Sequence, residues 1–176
     1  MTKDSIAIIG FMATGKTTIG KAIADYLGDD YRFIETDQLI VEMAKKSIPR
    51  IFIEDGEEKF RNYEINACRK AAKLKNVVIS CGGGVVLNKE NIKKLKKNCH
   101  IVLLKASVEE IFNRIMKNGK RTRPIIHSED TKKQIERILI SRDIFYETAA
   151  EITINTENKS IEEIINEIIE KTKIQS

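Results

Sequence analysis

The sequence predicts an α/β fold, a three-layer sandwich in which helices cover both faces of a five-stranded parallel sheet. Five short apolar runs are typical of buried strands, and segments with apolar residues at helical spacing separate them. The runs are residues 6–9, 31–34, 77–81, 101–104 and 151–154. Strands that alternate with helices favour a parallel sheet, whose two faces are both buried. The 176 residues fit one domain, residues 1–176.

The first strand leads into a glycine-containing loop and then into a helix. The loop is Gly10-Phe11-Met12-Ala13-Thr14-Gly15-Lys16-Thr17, and helical spacing follows in residues 18–27. Strand, loop and helix together are the context of a phosphate-binding loop, in which backbone N–H groups and the helix N-terminus attract anions. Lys16 can reach the outer phosphates, and the Thr17 hydroxyl can bind Mg²⁺. The sequence therefore predicts a nucleotide-binding protein.

Polar residues and glycines follow the next two strands. The second strand is followed by Glu35-Thr36-Asp37, and the third by Gly82-Gly83-Gly84. A helix-like stretch between these strands carries Arg61 and Glu64 on one face. Because ligands collect at the carboxyl ends of the strands in such sheets, we expect these residues to surround one site.

A basic segment follows the fourth strand and its helix. Residues 118–124 read Asn-Gly-Lys-Arg-Thr-Arg-Pro. Bounding glycine and proline favour a mobile loop over a helix. The next helix carries Arg142, with Tyr146 one turn later, and the last helix has isoleucines on one face. These are Ile161, Ile164, Ile165, Ile168 and Ile169.

Composition narrows the class of protein. The net charge is +5, but the lysines are spread over helical segments without interleaved aromatic residues, which favours an enzyme with anionic substrates over a nucleic-acid binder. No apolar run approaches the roughly 20 residues that span a bilayer. The first residues lead directly into a strand and leave no room for a signal peptide, so we expect a cytoplasmic protein with no membrane partner. Cys68, Cys81 and Cys99 show no CxxC pairing and are expected to be buried, reduced thiols.

These motifs, in this order and spacing, resemble those of the shikimate kinases, small P-loop kinases similar in fold to the nucleoside monophosphate kinases. The motifs are GFMATGKTTIG, ETD, GEEKFR, the triple glycine and Arg123-Pro124, and the resemblance covers nearly the whole chain. It implies a P-loop kinase fold with a mobile lid near residues 117–128 and a substrate-binding helical region near residues 36–64. It also implies transfer of the γ-phosphoryl group of MgATP to the 3-hydroxyl of shikimate, in aromatic amino-acid biosynthesis.

The resemblance implies an ATP site built from the loop and two arginines. Its residues are Gly10, Met12, Ala13, Thr14, Gly15, Lys16, Thr17, Thr18, Arg114 and Arg123. Lys16 and Arg123 are expected to be catalytic, because they neutralise charge that spreads over the transferred group. Arg114 is the nearest candidate for a contact with adenine, although its spacing from Arg123 departs from the family pattern. Asn155 and Thr156 are expected beside the adenine.

The acceptor substrate carries one carboxylate and three hydroxyls, and guanidinium groups match a carboxylate in bidentate fashion. The substrate-binding set implied is Asp37, Phe52, Phe60, Arg61, Gly82, Gly83, Gly84 and Arg142. Asp37 is expected to be catalytic by accepting the proton of the attacking hydroxyl. The glycines would offer N–H groups where a Cβ would obstruct the ring. Two alternatives stay open: both phenylalanines fit an ordinary core, and Arg61 with Glu64 fits a routine helix salt bridge.

Two positions depart from the family pattern. Thr17 and Glu35 are the expected metal residues, but the family usually has Asp-x-Asp where this chain has Glu35 and Asp37. The carboxylate is therefore moved by about one methylene. Ala13 stands at a loop position that glycine commonly holds, and alanine is strained there if its φ is positive.

Other functions remain as alternatives. A gluconate kinase or nucleoside monophosphate kinase would share the loop, but Phe60-Arg61, the glycine run and Arg142 suit a compact carboxylated polyol. A non-catalytic P-loop switch or scaffold is a further alternative, although the guanine-reading pattern Asn-Lys-x-Asp fails at Asn91. Small-molecule partners, ATP and shikimate, are expected. The chain is expected to be a monomer because it has no heptad pattern or distinctive apolar patch.

Overall fold

The computed structural model describes residues 3–117 and 131–174. Strands β1 to β5 are Ser5–Ile9, Arg32–Glu35, Val77–Ser80, Cys99–Lys105 and Ile152–Asn155. Helices α1 to α8 are Lys16–Leu27, Thr36–Ala44, Ile48–Glu54, Gly56–Ala71, Lys89–Leu95, Val108–Lys117, Thr131–Ala149 and Ile161–Thr172. A short 3-10 helix, Val85–Leu87, follows β3.

The five strands form one parallel sheet in the order β2-β3-β1-β4-β5. This arrangement confirms the predicted fold class. Ser80 at the end of β3 is the register partner of Ile8 in β1 and of Glu35 in β2. The segments that leave β1, β2 and β3 therefore start side by side at one edge of the sheet, where a parallel sheet places its ligands.

Side chains of β1 divide between the two faces of the sheet, as the period of two in a strand requires. Ile6 and Ile8 pack in a core with α1 and α8. Ala7 and Ile9 pack in a second core with α4, α5, α6 and α7. Full burial of an isoleucine side chain contributes about 1.5–3 kcal/mol, so these two cores fix β1 at the centre of the molecule.

A smaller core joins α2, α3 and α4 beyond the carboxyl edge of the sheet. Ile40, Ile51, Phe60 and Ala67 are its buried residues. This group of helices falls largely within the predicted substrate-binding region of residues 36–64, whose limits stay a prediction, as does the single domain. The predicted lid lies almost entirely outside the described residues.

Helix α8 begins with a capping box, which satisfies backbone donors at its first turn. The Ser160 hydroxyl accepts from the Glu163 N–H, and the Glu163 carboxylate accepts from the Ser160 N–H at 2.7 Å. Ile164, Ile165 and Ile168 are buried on the predicted face, whereas Ile161 is half exposed. The capping box therefore fixes the residue at which α8 begins, and with it the isoleucines that face the sheet.

The three cysteines are free and buried, as expected from the sequence. Burial raises the pKa of Cys99 to about 12 and raises the pKa of Cys81 well above its ordinary value. These thiols therefore stay protonated at neutral pH and act as small apolar groups. Across residues 3–117 and 131–174, no helix is both long enough and apolar enough to cross a membrane.

Candidate active site

A cavity of about 1060 Å³ lies at the carboxyl edge of the sheet. It brings together most residues that the sequence predicts for the site. These are Met12, Ala13, Thr14, Gly15, Lys16, Thr17, Thr18, Glu35, Asp37, Phe52, Phe60, Arg61, Gly82, Gly83, Gly84, Arg114 and Arg142. Gly10 does not line the cavity, and Arg123 lies outside the described residues. The predicted nucleotide and acceptor residues thus share one continuous space.

The loop between β1 and α1 forms one wall of the cavity. The Lys16 ammonium and the Thr14 hydroxyl both donate to the Phe11 carbonyl oxygen, each at 2.8 Å. Gly10, with φ of 144°, lies beneath the loop, where a Cβ would come within 2.5 Å of the Leu104 carbonyl oxygen. Gly10 therefore shapes the loop without facing the cavity. The N-terminus of α1, preceded by Gly15, supplies the N–H donors and positive end of a helix dipole that attract phosphate.

Ala13 adopts the left-handed conformation, with φ of 59°. Ala13 therefore has the positive φ at which alanine is strained and glycine is not. A non-glycine residue in a sparsely populated backbone region costs on the order of 1–3 kcal/mol. The surrounding loop holds that conformation, and the Ala13 carbonyl accepts from Arg114 Nη1 at 3.3 Å.

Three oxygen-bearing side chains meet beside the loop. Thr17 Oγ1 donates to Glu35 Oε1 at 2.5 Å and lies 3.5 Å from Ser80 Oγ. Glu35 and Ser80 reach it because they are register partners at the ends of β2 and β3. Ser80 was not predicted as a site residue, although its position as the last residue of a strand next to Glu35 could have identified it.

Asp37 lies in the first turn of α2, against the glycine run. A Cβ on Gly82 would lie 2.5 Å from Asp37 Oδ1, so glycine leaves room for this carboxylate. The Gly82 N–H donates to Thr36 Oγ1 at 2.8 Å. The Gly82 N–H therefore already has a protein acceptor in this structure, and the expectation that all three glycines offer N–H groups to the substrate stays a prediction.

Arg61 is held by two carboxylates on α4. Its guanidinium donates to Glu64 at 3.0 and 3.2 Å and to Glu57 at 3.0 and 3.3 Å. Glu64 is only 2% exposed, so this pair is not a routine surface salt bridge. Burial raises the pKa of Glu64, and the neighbouring Arg61 charge opposes that rise. A Cβ on Gly84 would collide with Arg61 Nη1, so glycine there leaves the guanidinium in the position that Glu57 and Glu64 hold.

Arg142 and Tyr146 lie one turn apart on α7 and contact Gly83. The Gly83 carbonyl oxygen accepts from Tyr146 Oη at 2.7 Å and from Arg142 Nη1 at 3.4 Å. Arg142 lines the cavity, whereas Tyr146 lies behind it. The glycine run is therefore enclosed by Asp37 and Arg61 on one side and by Arg142 on the other.

Phe52 and Phe60, two of the residues predicted to bind the substrate, stack obliquely with ring centroids 4.5 Å apart. Phe60 is buried in the small core of α2, α3 and α4 and also reaches the cavity. Phe52 is more exposed. Ile48, Pro49 and Ile53 on α3 extend this apolar wall, and the sequence analysis did not identify them.

Arg114 lies between the phosphate-binding loop and the end of β5. Besides Ala13, its guanidinium contacts the Thr156 hydroxyl at 3.1 Å and Glu110 at 2.7 Å. Thr156 is buried and lines the same end of the cavity. Lys159 and Ile161 also line the cavity and were not predicted as site residues; they lie between the end of β5 and the start of α8.

Comparisons with known proteins agree with this architecture. The family model described as shikimate kinase matches residues 12–173. A shikimate kinase of Caldanaerobacter subterraneus subsp. tengcongensis is 47% identical over 165 residues, which cover 94% of each chain. One from Enterococcus faecalis is 39% identical over 97% of this chain and 99% of its own.

A solved structure is also similar over nearly the whole chain. The shikimate kinase of Acinetobacter baumannii in complex with shikimate superposes with a TM-score of 0.88 at 29% identity, covering 97% of this chain and 93% of that one. The family match covers most of the chain, and the two curated relatives and this superposition each cover 94% of it or more. The chain belongs to the shikimate kinase family.

Proposed function

We propose that this chain transfers the γ-phosphoryl group of MgATP to the 3-hydroxyl of shikimate, giving shikimate 3-phosphate and ADP. The observation that carries the proposal is the shared cavity, which has a phosphate-binding loop on one wall and Asp37, Arg61 and Arg142 on another. Phosphoryl transfer needs mainly positioning and charge neutralisation, and this set of groups can supply both.

The nucleotide half of the proposal assigns phosphate binding to the loop and to α1. Lys16 would leave its present contact with the Phe11 carbonyl to reach the β- and γ-phosphates. Arg114 and Thr156 would line the base. Arg123, outside the described residues, would add positive charge from the lid.

The proposed metal site rests on the oxygen atoms beside the loop. Magnesium prefers oxygen ligands and keeps several of its waters, and Thr17, Glu35 and Ser80 offer two hydroxyls and one carboxylate. Thr17 would bind the ion directly, and Glu35 would hold it through water. When bound, the ion would neutralise charge on the β- and γ-phosphates.

The acceptor half of the proposal assigns the carboxylate of shikimate to Arg61 and Arg142. Asp37 would bind the attacking hydroxyl. A bond forms between that hydroxyl oxygen and the γ-phosphorus as the bond to the β–γ bridging oxygen breaks, and ADP leaves with the electron pair. The hydroxyl proton passes to the Asp37 carboxylate.

We further propose that the enzyme works in the cytoplasm as a monomer, in aromatic amino-acid biosynthesis. Three free, buried cysteines support a reducing compartment. Light scattering on the purified chain tests the monomer, with a mass of one chain expected and a mass of two chains contradicting it.

A coupled ADP-release assay with MgATP and four acceptors tests the proposal. Shikimate should support turnover, whereas gluconate, AMP and CMP should not. Lys16→Ala should remove the activity in the same assay, and Lys21→Ala, an exposed lysine one turn further along α1, should not. Preference for gluconate or a nucleotide would overturn the acceptor assignment.

A pair of arginine variants tests the acceptor half separately. Arg61→Ala should raise the KM for shikimate by about 100-fold, because a bidentate contact with the carboxylate is lost, while the KM for ATP stays within about twofold. Arg50→Ala is the matched control. Arg50 forms an i,i+4 ion pair with Glu54, as Arg61 does with Glu57, but Arg50 is exposed and lies outside the cavity. Equal changes in the KM for ATP and for shikimate would reject the role of Arg61.

A further inference from the structure

We propose that Tyr146 is a positioning residue for the acceptor, acting through Gly83 on Arg142. The inference rests on the proposed role of Arg142 in binding the carboxylate. Tyr146 does not line the cavity, so its effect on the substrate must pass through the groups that it holds.

The hydrogen bond from Tyr146 is short and well protected. Its hydroxyl donates to the Gly83 carbonyl oxygen at 2.7 Å, and the residue is only 2% exposed. The ring packs in the core between the sheet and α4 to α7, which limits its movement. Burial raises the pKa of Tyr146 to about 12, so the hydroxyl stays a donor at any physiological pH.

Arg142 also donates to the Gly83 carbonyl oxygen that accepts from Tyr146. Its Nη1 lies 3.4 Å from Gly83 O, at the long limit for a hydrogen bond. A carbonyl oxygen has two lone pairs and can accept from both groups. Tyr146 makes the short bond to this oxygen, and its hydroxyl also interacts directly with the Arg142 side chain. Tyr146 therefore helps to hold the Arg142 guanidinium where it lines the cavity.

Removal of the Tyr146 hydroxyl would change the hydrogen bonds that Arg142 makes. Without the hydroxyl, Gly83 O keeps Arg142 Nη1 as its side-chain donor among the described residues, and the carbonyl would draw the guanidinium toward itself. The same donors would then be less available to a carboxylate in the cavity. The Gly83 peptide would also lose its fixed position beside Gly84, which packs against Arg61.

The proposal predicts a selective effect on the acceptor. Tyr146→Phe keeps the ring and removes only the hydroxyl. We expect it to raise the KM and the Kd for shikimate by about tenfold, which corresponds to the loss of one good hydrogen bond, with kcat and the KM for ATP within about twofold. An unchanged KM and Kd for shikimate would overturn the proposal.

Thr172→Val is the matched control. Thr172 is 5% exposed on α8, and its hydroxyl donates to the Ile168 carbonyl oxygen at 2.8 Å. The substitution therefore deletes a buried hydroxyl-to-carbonyl bond of similar length outside the cavity. It should lower Tm as Tyr146→Phe does, yet leave the KM for shikimate unchanged. An equal rise of that KM in both variants would show a general effect of lost stability and reject the positioning role.

A double-mutant cycle on shikimate binding, followed by ligand-observed NMR, tests the route through Arg142. The tenfold effect of Tyr146→Phe on Kd should shrink to less than about twofold in an Arg142→Ala background, since the group that it positions is gone. Persistence of the full tenfold effect there would overturn the proposed route. If Arg142→Ala alone leaves the Kd for shikimate unchanged, the acceptor role of Arg142 fails, and that failure is separate from the behaviour of Tyr146→Phe in the wild-type background.

Discussion

The Thr17 hydroxyl donates a 2.5 Å hydrogen bond to the Glu35 carboxylate, which lies 18 residues further along the chain. With the extra methylene of glutamate, compared with the aspartate that the family usually has, the carboxylate thus still reaches the hydroxyl that we propose binds the metal. A carboxylate in this position can orient that hydroxyl and accept hydrogen bonds from waters on a bound ion.

Substitution of Glu35 by alanine should weaken metal use without weakening nucleotide binding itself. We expect the magnesium concentration for half-maximal activity to rise by about 10-fold, as for other residues that orient metal ligands. The Kd for ADP without metal should stay within about twofold. Titration of Mg²⁺ and calorimetry with ADP measure the two quantities, and exposed Glu42→Ala on α2 is the control. A normal magnesium dependence in Glu35→Ala would remove Glu35 from the metal site.

Replacement of Asp37 by asparagine should impair the chemical step. The amide keeps the shape that packs against Gly82 but is a poor proton acceptor, so kcat should fall by about 10²–10⁴-fold. The Kd for ATP should change by less than about threefold. Steady-state kinetics and nucleotide binding check both values, with exposed Asp25→Asn on α1 as the control. Near-normal kcat would show that Asp37 is not the proton acceptor.

Replacement of Ala13 by glycine should change the free energy of unfolding differently from replacement of an ordinary helical alanine. Ala13→Gly relieves a positive φ of 59°, which offsets the entropy that glycine adds to the unfolded chain. We expect the free energy of unfolding to stay the same or rise by up to about 1 kcal/mol. Ala22→Gly, in the middle of α1, should lower it by about 1 kcal/mol. Urea denaturation measures both, and an equal loss in the two variants would contradict the strain at Ala13.

The elements of the fold could be predicted because each depends on local patterns. All five strands lie within two residues of the apolar runs, and the buried isoleucines of α8 follow the helical spacing. The motifs also included most residues of the cavity. Most of these motifs follow a strand, and the carboxyl ends of parallel strands meet at one edge of the sheet.

Contacts between distant residues could not be predicted in the same way. The hydrogen bond that the Gly82 N–H donates to Thr36 spans 46 positions, and the one that Tyr146 donates to the Gly83 carbonyl spans 63. Ser80 reads as an ordinary strand residue until register places it beside Glu35. The backbone angle of Ala13 depends on the whole loop, so the sequence could raise the question of strain but not answer it.

The stability of the protein should depend on pH through His100. Burial, with the charge of Lys3, lowers the pKa of His100 below its ordinary value of 6.5, while Glu151 opposes the shift. Because the folded-state pKa is lower, the neutral ring contributes stability above about pH 6.5 that is lost as the pH falls through the folded-state value. The Tm of His100→Gln should therefore fall less than the Tm of the wild type between pH 7.5 and pH 5. Thermal scans at both pH values measure this, and a parallel loss would contradict it.

The ³¹P NMR spectrum of a reaction with MgATP and shikimate identifies both the phosphoryl donor and the hydroxyl that accepts the group. We expect ADP and one new phosphate-ester doublet in equal amounts, with the phosphorus coupled to the proton on C3 of shikimate. Free phosphate, or an ester coupled to the proton of another carbon, would contradict it.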